Sequence, residues 1–252
     1  MVVDPERQPD IISGSRKGIA KMSNFLKYRQ HEMERRMGDN LPLDLLIAGP
    51  TGAGKSSLVN AFFGEPVAKV GRGTDPETMD VHEYTLSRCF RVHDTPGLGD
   101  SASADARHKR KIVDQLLRYY TQDGVYRSFM DLVLVVLEGG SRDMGSCYSL
   151  LNEVIIPNIE HSRILVAINQ ADIAMKGSHW DSANNRPDPE LEHFLREKAE
   201  SVQRRVYEAT GVSIRTPVCF SAETGYNVQA VIDAVVDLIP RNRPSAFSKR
   251  SA

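Results

Sequence analysis

Short apolar runs alternate with stretches in which apolar residues recur every three or four positions, the pattern of strand–helix units on a mostly parallel sheet. Six runs fit buried strands: Leu43 to Gly49, Val81 to Leu86, Cys89 to Asp94, Asp131 to Glu138, Arg163 to Asn169 and Pro217 to Ser221. Only Ser87 and Arg88 separate the second from the third, too few residues for a parallel crossover, so these two are predicted to form an antiparallel hairpin. The predicted fold is a three-layer α/β domain, with a six-stranded, mostly parallel sheet that has one antiparallel strand and is flanked by helices.

Helical stripes lie between the strands. Ile112, Val113, Leu116, Leu117 and Tyr120 form one; Leu191, Phe194, Leu195, Val202, Val206 and Ala209 form another. The second has Asp188 as an N-cap and Pro189 at its first position, and it stops at Gly211. A last helix carries Val228, Val231, Ile232, Val235, Val236 and Ile239 before Pro240. Residues 15 to 38 form a basic amphipathic helix, with Ile19, Met22, Leu26, Met33 and Met37 on one face and Arg16, Lys17, Lys21, Lys27, Arg35 and Arg36 elsewhere. Packing against the domain and peripheral contact with a membrane or partner are its two readings. The chain divides into an N-terminal extension (1–40), one domain (41–240) and a flexible tail (241–252).

The 252 residues, 40% of them apolar, suffice for a substantial core. A net charge of −1 gives no general attraction to nucleic acid or anionic membrane, so such contacts require a local patch. No run approaches the ~20 apolar residues of a membrane span, and the N-terminus does not read as a signal peptide, so a cytoplasmic location is expected. Cys89, Cys147 and Cys219 sit in or beside apolar segments and read as core thiols.

The strongest chemical signal is Gly49-Pro50-Thr51-Gly52-Ala53-Gly54-Lys55-Ser56, a complete G-x-x-x-x-G-K-[ST] loop placed where a strand turns into a helix. Glycines let backbone N–H groups converge on phosphate oxygens, the helix start adds partial positive charge, and Lys55 adds a full one. Ser56 offers a hydroxyl to Mg²⁺. Downstream, Asp94-Thr95-Pro96-Gly97 ends the third strand, where Asp94 can hold Mg²⁺ through water and the Gly97 N–H can meet a γ-phosphate. Asn169-Gln170-Ala171-Asp172 and Ser221-Ala222-Glu223 end two more. All four motifs fall at carboxyl ends of strands, where open α/β sheets bind ligands.

This ordered set resembles the Ras-like P-loop GTPase fold over residues 41 to 240, most of all the Era-like branch and its bacterial YfjP-type members, which have a similar polar insertion after the guanine motif. Here that insertion is Met175 to Pro189, on its own a long polar loop with one aromatic, Trp180. The resemblance implies GTP or GDP with Mg²⁺ as ligands. Gly49, Thr51, Gly52, Ala53, Gly54, Lys55, Ser56 and Ser57 would cradle the phosphates. Asp172 would accept from guanine N1 and N2, Asn169 would brace the pocket, and the Ala222 N–H would meet guanine O6 beside Ser221. Gln170 stands where the family more often has lysine; it keeps the apolar stem and loses the charge. For the threonine that joins Ser56 and Asp94 at the metal, Thr74 and Thr78 both lie in the Gly71 to Asp80 loop, and spacing to Tyr84 and Leu86 favours Thr78.

Ras-like enzymes orient the attacking water with a glutamine where this chain has Leu98, so hydrolysis is expected to be slow or to use a partner. Gly52 stands where potassium-stimulated relatives carry asparagine, which argues against potassium stimulation. Lys55, Thr78 and Gly97 are the expected catalytic residues. The run Arg107-His108-Lys109-Arg110-Lys111, where the second switch helix should begin, reads as a solvated helical face or a docking patch for RNA or an acidic partner. The leading functional reading is a GTP-hydrolysing switch with a protein or ribonucleoprotein effector; the alternative is a nucleotide-dependent homodimer, like septins or chloroplast import GTPases. Asp172 with Ser221-Ala222 argues against an ATPase. Era's C-terminal RNA-binding domain is not expected in the dozen residues after Pro240.

Overall fold

The computed structural model describes residues 24–38, 42–68, 80–99, 101–122, 124–140 and 145–240. Six strands build the central sheet: β1 (Leu43–Ala48), β2 (His82–Ser87), β3 (Phe90–Asp94), β6 (Leu132–Glu138), β7 (Ile164–Asn169) and β10 (Val218–Cys219), in the order β10-β7-β6-β1-β3-β2. Only β2 is antiparallel to its neighbour, with a register shift between Thr85 and Ser87. The expected architecture is therefore present. The last strand is shorter than its apolar run suggested, although Phe220 beyond it still donates its N–H to Ile168 O at 2.8 Å.

Strand alternation distributes the side chains to two cores. Leu43, Leu45 and Ile47 of β1 point to one face with Leu132, Leu134 and Val136 of β6. There they meet α1 (Asn24–Met37) through Met33 and Met37, α2 (Lys55–Phe63) through Leu58, Val59 and Phe62, and α6 (Val228–Asp237) through Val231, Ile232 and Val235. Leu46 and Ala48 point the other way, toward α3 (Ala102–Leu116), α5 (Pro189–Thr210) and the helix between β6 and β7. That last helix starts as α4 (Gly145–Ser149) and widens to a π-turn at Leu150–Ile155, closed by Ile156 N–H donating to Leu151 O at 2.9 Å.

The described part of the N-terminal helix packs on the domain: Met33 and Met37 are buried, and Arg29 and Arg36 pair with Asp233 and Asp237 of α6. Residues 15–23 lie outside the described residues. The stripe expected to run through Tyr120 stops at Leu116; Tyr120 belongs to a hairpin, β4 (Tyr119–Gln122) with β5 (Val125–Ser128). Pairing of Phe129 N–H with Arg118 O at 2.9 Å closes that hairpin and overrides the helical period. The basic run Arg107–Lys111 lies in the middle of α3, whose N-cap is Ser101. Its residues are not one solvated face: His108 is buried, Lys109 bonds Glu153 and Ser149, and Lys111 bonds Asp80. The polar segment after β7 is a folded hairpin, β8 (Trp180–Asp181) with β9 (Arg186–Pro187).

Candidate functional site

β1 ends at Ala48, and Gly49 to Gly54 carry the chain into α2, whose first residue is Lys55. Two glycines are required by close approach. Gly49 (φ +154°) lies so near the Val136 carbonyl that a Cβ would overlap it, and Gly54 (φ +83°) would drive a Cβ into the Asn169 amide. The loop is thereby seated directly on the ends of β6 and β7. Lys55, 7% exposed, folds back so that its Nζ donates to Pro50 O (2.9 Å) and Gly49 O (3.2 Å), which fixes the cation over the loop.

Ser56 Oγ donates to Asp94 Oδ2 at 2.8 Å, across 38 residues of sequence. Burial raises the Asp94 carboxyl above the ordinary aspartate value, against the pull of Lys55 and the Ser56 hydrogen bond. Its second oxygen, Oδ1, is buried without a partner. A hydroxyl beside a buried carboxylate oxygen with spare lone pairs suits a small hard cation, and so few protein oxygens suit Mg²⁺ in particular, which takes its remaining ligands from phosphate and water. Among the described residues there is no cluster of three or more His, Cys, Asp or Glu that could hold a metal by itself. Thr78 and its alternative Thr74 lie outside the described residues.

The D-T-P-G turn lies directly against the phosphate loop. Thr95 Oγ1 donates to Ile47 O (2.8 Å), Thr51 N–H donates to Leu98 O (2.8 Å), and Gly97 packs so tightly on Thr51 that no side chain would fit. Leu98 itself is 2% exposed and packed with Leu46, Ala48 and Ile112, so at this position an apolar anchor faces the core. A residue that sequence reasoning absorbed into the basic run, His108, sends Nδ1 to the Gly97 carbonyl at 2.6 Å. A carbonyl only accepts, so that nitrogen carries the proton. Its signal was a titratable ring at the buried helical phase shared with Ile112.

Asn169 joins the remaining motifs. Its Nδ2 donates to Ala53 O (3.0 Å) and its Oδ1 accepts from Ala222 N–H (2.9 Å), so one side chain ties the phosphate loop to the Ser221-Ala222 loop. The Ala222 N–H, assigned from sequence to the base, is engaged by Asn169 here. Gln170, at φ +63°, donates from Nε2 to Gly52 O (3.0 Å): in place of lysine's charge it supplies a second tie to the phosphate loop. Ser221 is buried; its Oγ accepts from Thr224 N–H (3.1 Å) and its N–H donates to Tyr226 O (2.9 Å). The Asp172 carboxylate is part-exposed and has no hydrogen-bond partner among the described residues. Ser57 follows Ser56 on the first turn of α2. Direct hydrogen bonds thus join the motifs at the carboxyl ends of β1, β3, β7 and β10: Ser56 to Asp94, Thr51 to Leu98, and Asn169 to both Ala53 and Ala222.

The model of the 50S ribosome-binding GTPase family matches residues 44–170 of the 252. Translocase of chloroplast 125 from Physcomitrium patens is 28% identical over 182 residues, which are 69% of this chain and 15% of that protein. GTPase Der from Ruegeria pomeroyi is 25% identical over 202 residues, 77% of this chain and 35% of that protein. The chain therefore spans well under half the length of these relatives. A dimerization-deficient mutant of Toc33 from Arabidopsis thaliana shares the fold with a TM-score of 0.60 over 93% of this chain and 97% of that one, at 16% identity.

Proposed function

The chain belongs to the 50S ribosome-binding GTPase family, and from that membership we propose that it hydrolyses GTP to GDP and phosphate as a Mg²⁺-dependent molecular switch. The observation that carries this reading is Asn169, which holds the phosphate loop and the Ser221-Ala222 loop together, three residues before Asp172. The Asp172 carboxylate selects guanine, because it accepts from N1–H and the 2-amino group, whereas adenine presents an acceptor nitrogen at the corresponding edge. The phosphate-binding set is Gly49, Thr51, Gly52, Ala53, Gly54, Lys55, Ser56 and Ser57.

Hydrolysis is an in-line attack of water on the γ-phosphate. Lys55 and the loop N–H groups stabilise charge on the phosphoryl oxygens, and the Gly97 N–H adds a donor when the D-T-P-G turn meets the γ-phosphate. Ser56, Asp94 and Thr78 would hold Mg²⁺, which neutralises phosphate charge. Leu98 cannot orient water by hydrogen bonding, so turnover is slow until another group is supplied. The bonds between Thr51 and Leu98 and between His108 and Gly97 couple the γ-phosphate position to α3, the element that reports nucleotide state. Within the family, the ordered 175–189 insertion supports placement beside the YfjP-type, Era-like members. The test is equilibrium titration with GDP, a non-hydrolysable GTP analogue and ATP, together with phosphate release from GTP; tight ATP binding would sink it.

A second reading draws on the likeness to Toc33: GTP controls assembly of a homodimer. Sizing the protein with GDP and with the GTP analogue separates the two, since only assembly gives a dimer that depends on nucleotide.

A further inference from the structure

Residues 175 to 189 are neither a passive loop nor remote from the site. Trp180 on β8 meets Tyr226 edge to face, with ring centroids 5.2 Å apart and planes at 87°. Tyr226 directly follows the base loop, and its carbonyl accepts from Ser221 N–H at 2.9 Å. From the turn of the hairpin, Asn185 Nδ2 donates to Thr224 O at 3.0 Å. The hairpin therefore grips the Ser221 to Tyr226 loop at two points.

The same hairpin reaches the opposite wall of the base cleft. Trp180 and Met175 pack on a small apolar cluster of Ala171, Ala174, Leu191 and Leu195 beneath the N-Q-A-D loop that presents Asp172. Its base is fixed to α5, since Asp188 N–H donates to His179 O (2.9 Å) while the Asp188 side chain caps the helix at Glu190 and Leu191. Backbone geometry is specialised at both ends of the hairpin: His179 (φ +69°) at its base and Asn185 (φ +49°) in its turn both occupy the left-handed region, which asparagine tolerates better than most residues. Left-handed turns, a helix cap and two contacts across to residues 224 and 226 are more than a surface loop needs to close on itself.

We propose that the 175–189 hairpin is a clamp that sets the separation between the two walls of the purine cleft, the Asp172 loop and the Ser221-Ala222 loop, with Asn185 and Trp180 as positioning residues for guanine. The inference rests on the reading of this cleft as a guanine site. The clamp touches neither Lys55, Ser56, Asp94 nor Gly97, so it governs affinity for the base and leaves the phosphate chemistry alone.

Asn185→Gly tests it cleanly, because glycine keeps the left-handed backbone and removes only the bond to Thr224; Trp180→Ala tests the aromatic contact. In the full chain, dissociation constants for GDP and for a non-hydrolysable GTP analogue should rise together by about fivefold in Asn185→Gly, the loss of one net hydrogen bond's worth of positioning. The rate at saturating GTP should not change. Trp180→Ala should show the same equal rise, and Trp180→Phe should recover most of it by restoring an aromatic edge. A merely structural hairpin would lower the unfolding midpoint and leave both constants where they were. Unchanged constants in Asn185→Gly and Trp180→Ala overturn the clamp, as does a loss confined to the GTP analogue, which would place the hairpin's effect at the γ-phosphate. Should the unsubstituted chain bind no guanine nucleotide, the site reading fails and takes the clamp with it; binding by that chain with indifferent variants removes the clamp alone.

Discussion

His108 Nδ1 stands 2.6 Å from the carbonyl oxygen of Gly97, inside the protein and eleven residues along the chain. The contact fixes the peptide that follows Gly97, next to the Pro96–Gly97 peptide whose N–H is the proposed donor to a γ-phosphate. His108→Ala should cost about 1–3 kcal/mol of stability, the penalty for an orphaned buried carbonyl. Urea unfolding checks this as a lower midpoint at unchanged slope. Titration should also show weaker binding of a GTP analogue with little change for GDP; equal losses for both would mean the histidine supports the fold and not the turn.

Lys55 is held over the phosphate loop by that loop's own carbonyls. Lys55→Ala should weaken GTP binding by about a hundredfold, from the loss of charge-assisted bonds to phosphate. Circular dichroism should stay unchanged, since the side chain joins neither core. Affinity equal to that of the unsubstituted chain would place the triphosphate elsewhere.

Below the cleft, a buried polar cluster ties β1 to β3. Asp44, fully buried, accepts from Arg91 Nε (2.5 Å), Arg91 Nη2 (2.9 Å) and His93 Nε2 (2.8 Å). Burial alone would raise the Asp44 carboxyl, but the bonds from His93 and Arg91 prevail and hold it below its ordinary value. A depressed native value stabilises the fold above the unfolded pKa, about pH 4, and that contribution is lost as pH falls through the native value. Asp44→Asn should cost about 3–5 kcal/mol, since it removes the buried carboxylate that pairs with Arg91 and His93. Denaturant midpoints taken from pH 7 down to pH 3 should fall less steeply in the variant; parallel curves would contradict this assignment.

Sequence periodicity made the sheet legible because β1, β3, β6 and β7 are runs buried on both faces, as at Leu132 to Leu137, and because punctuation such as Asp188-Pro189 and Gly211 is local chemistry. Where long-range pairing overrode local pattern, the reading failed. Tyr120 follows Leu116 by four residues and fits a helix, yet it pairs across a hairpin turning near Gly124. The helix that contains Leu150, Leu151, Val154 and Ile155 has a 3–4 apolar spacing of its own. In the site, the motif residues declared themselves through type and spacing. Asn185 and His108 could not, because their partners, Thr224 and Gly97, are set by tertiary structure.

Burial holds the Cys147 thiol at about 12, and burial holds Cys219 at about 12 as well, slightly offset by Lys198. Thiolate is the reactive form, so both should resist iodoacetamide at pH 8 in the native protein and react on unfolding. Mass spectrometry of peptides after a timed pulse reads this directly. Rapid native labelling of Cys147 would show that the π-turn region opens readily.

The measurement closest to the central claim is a competition titration of GDP, XDP and ADP against the unsubstituted chain and Asp172→Asn. The unsubstituted chain should prefer GDP by orders of magnitude, and the variant should shift toward XDP, because an amide can donate to the xanthine 2-carbonyl where a carboxylate cannot. An unchanged preference for GDP in Asp172→Asn, or no guanine binding by the unsubstituted chain, would contradict the assignment of this cleft.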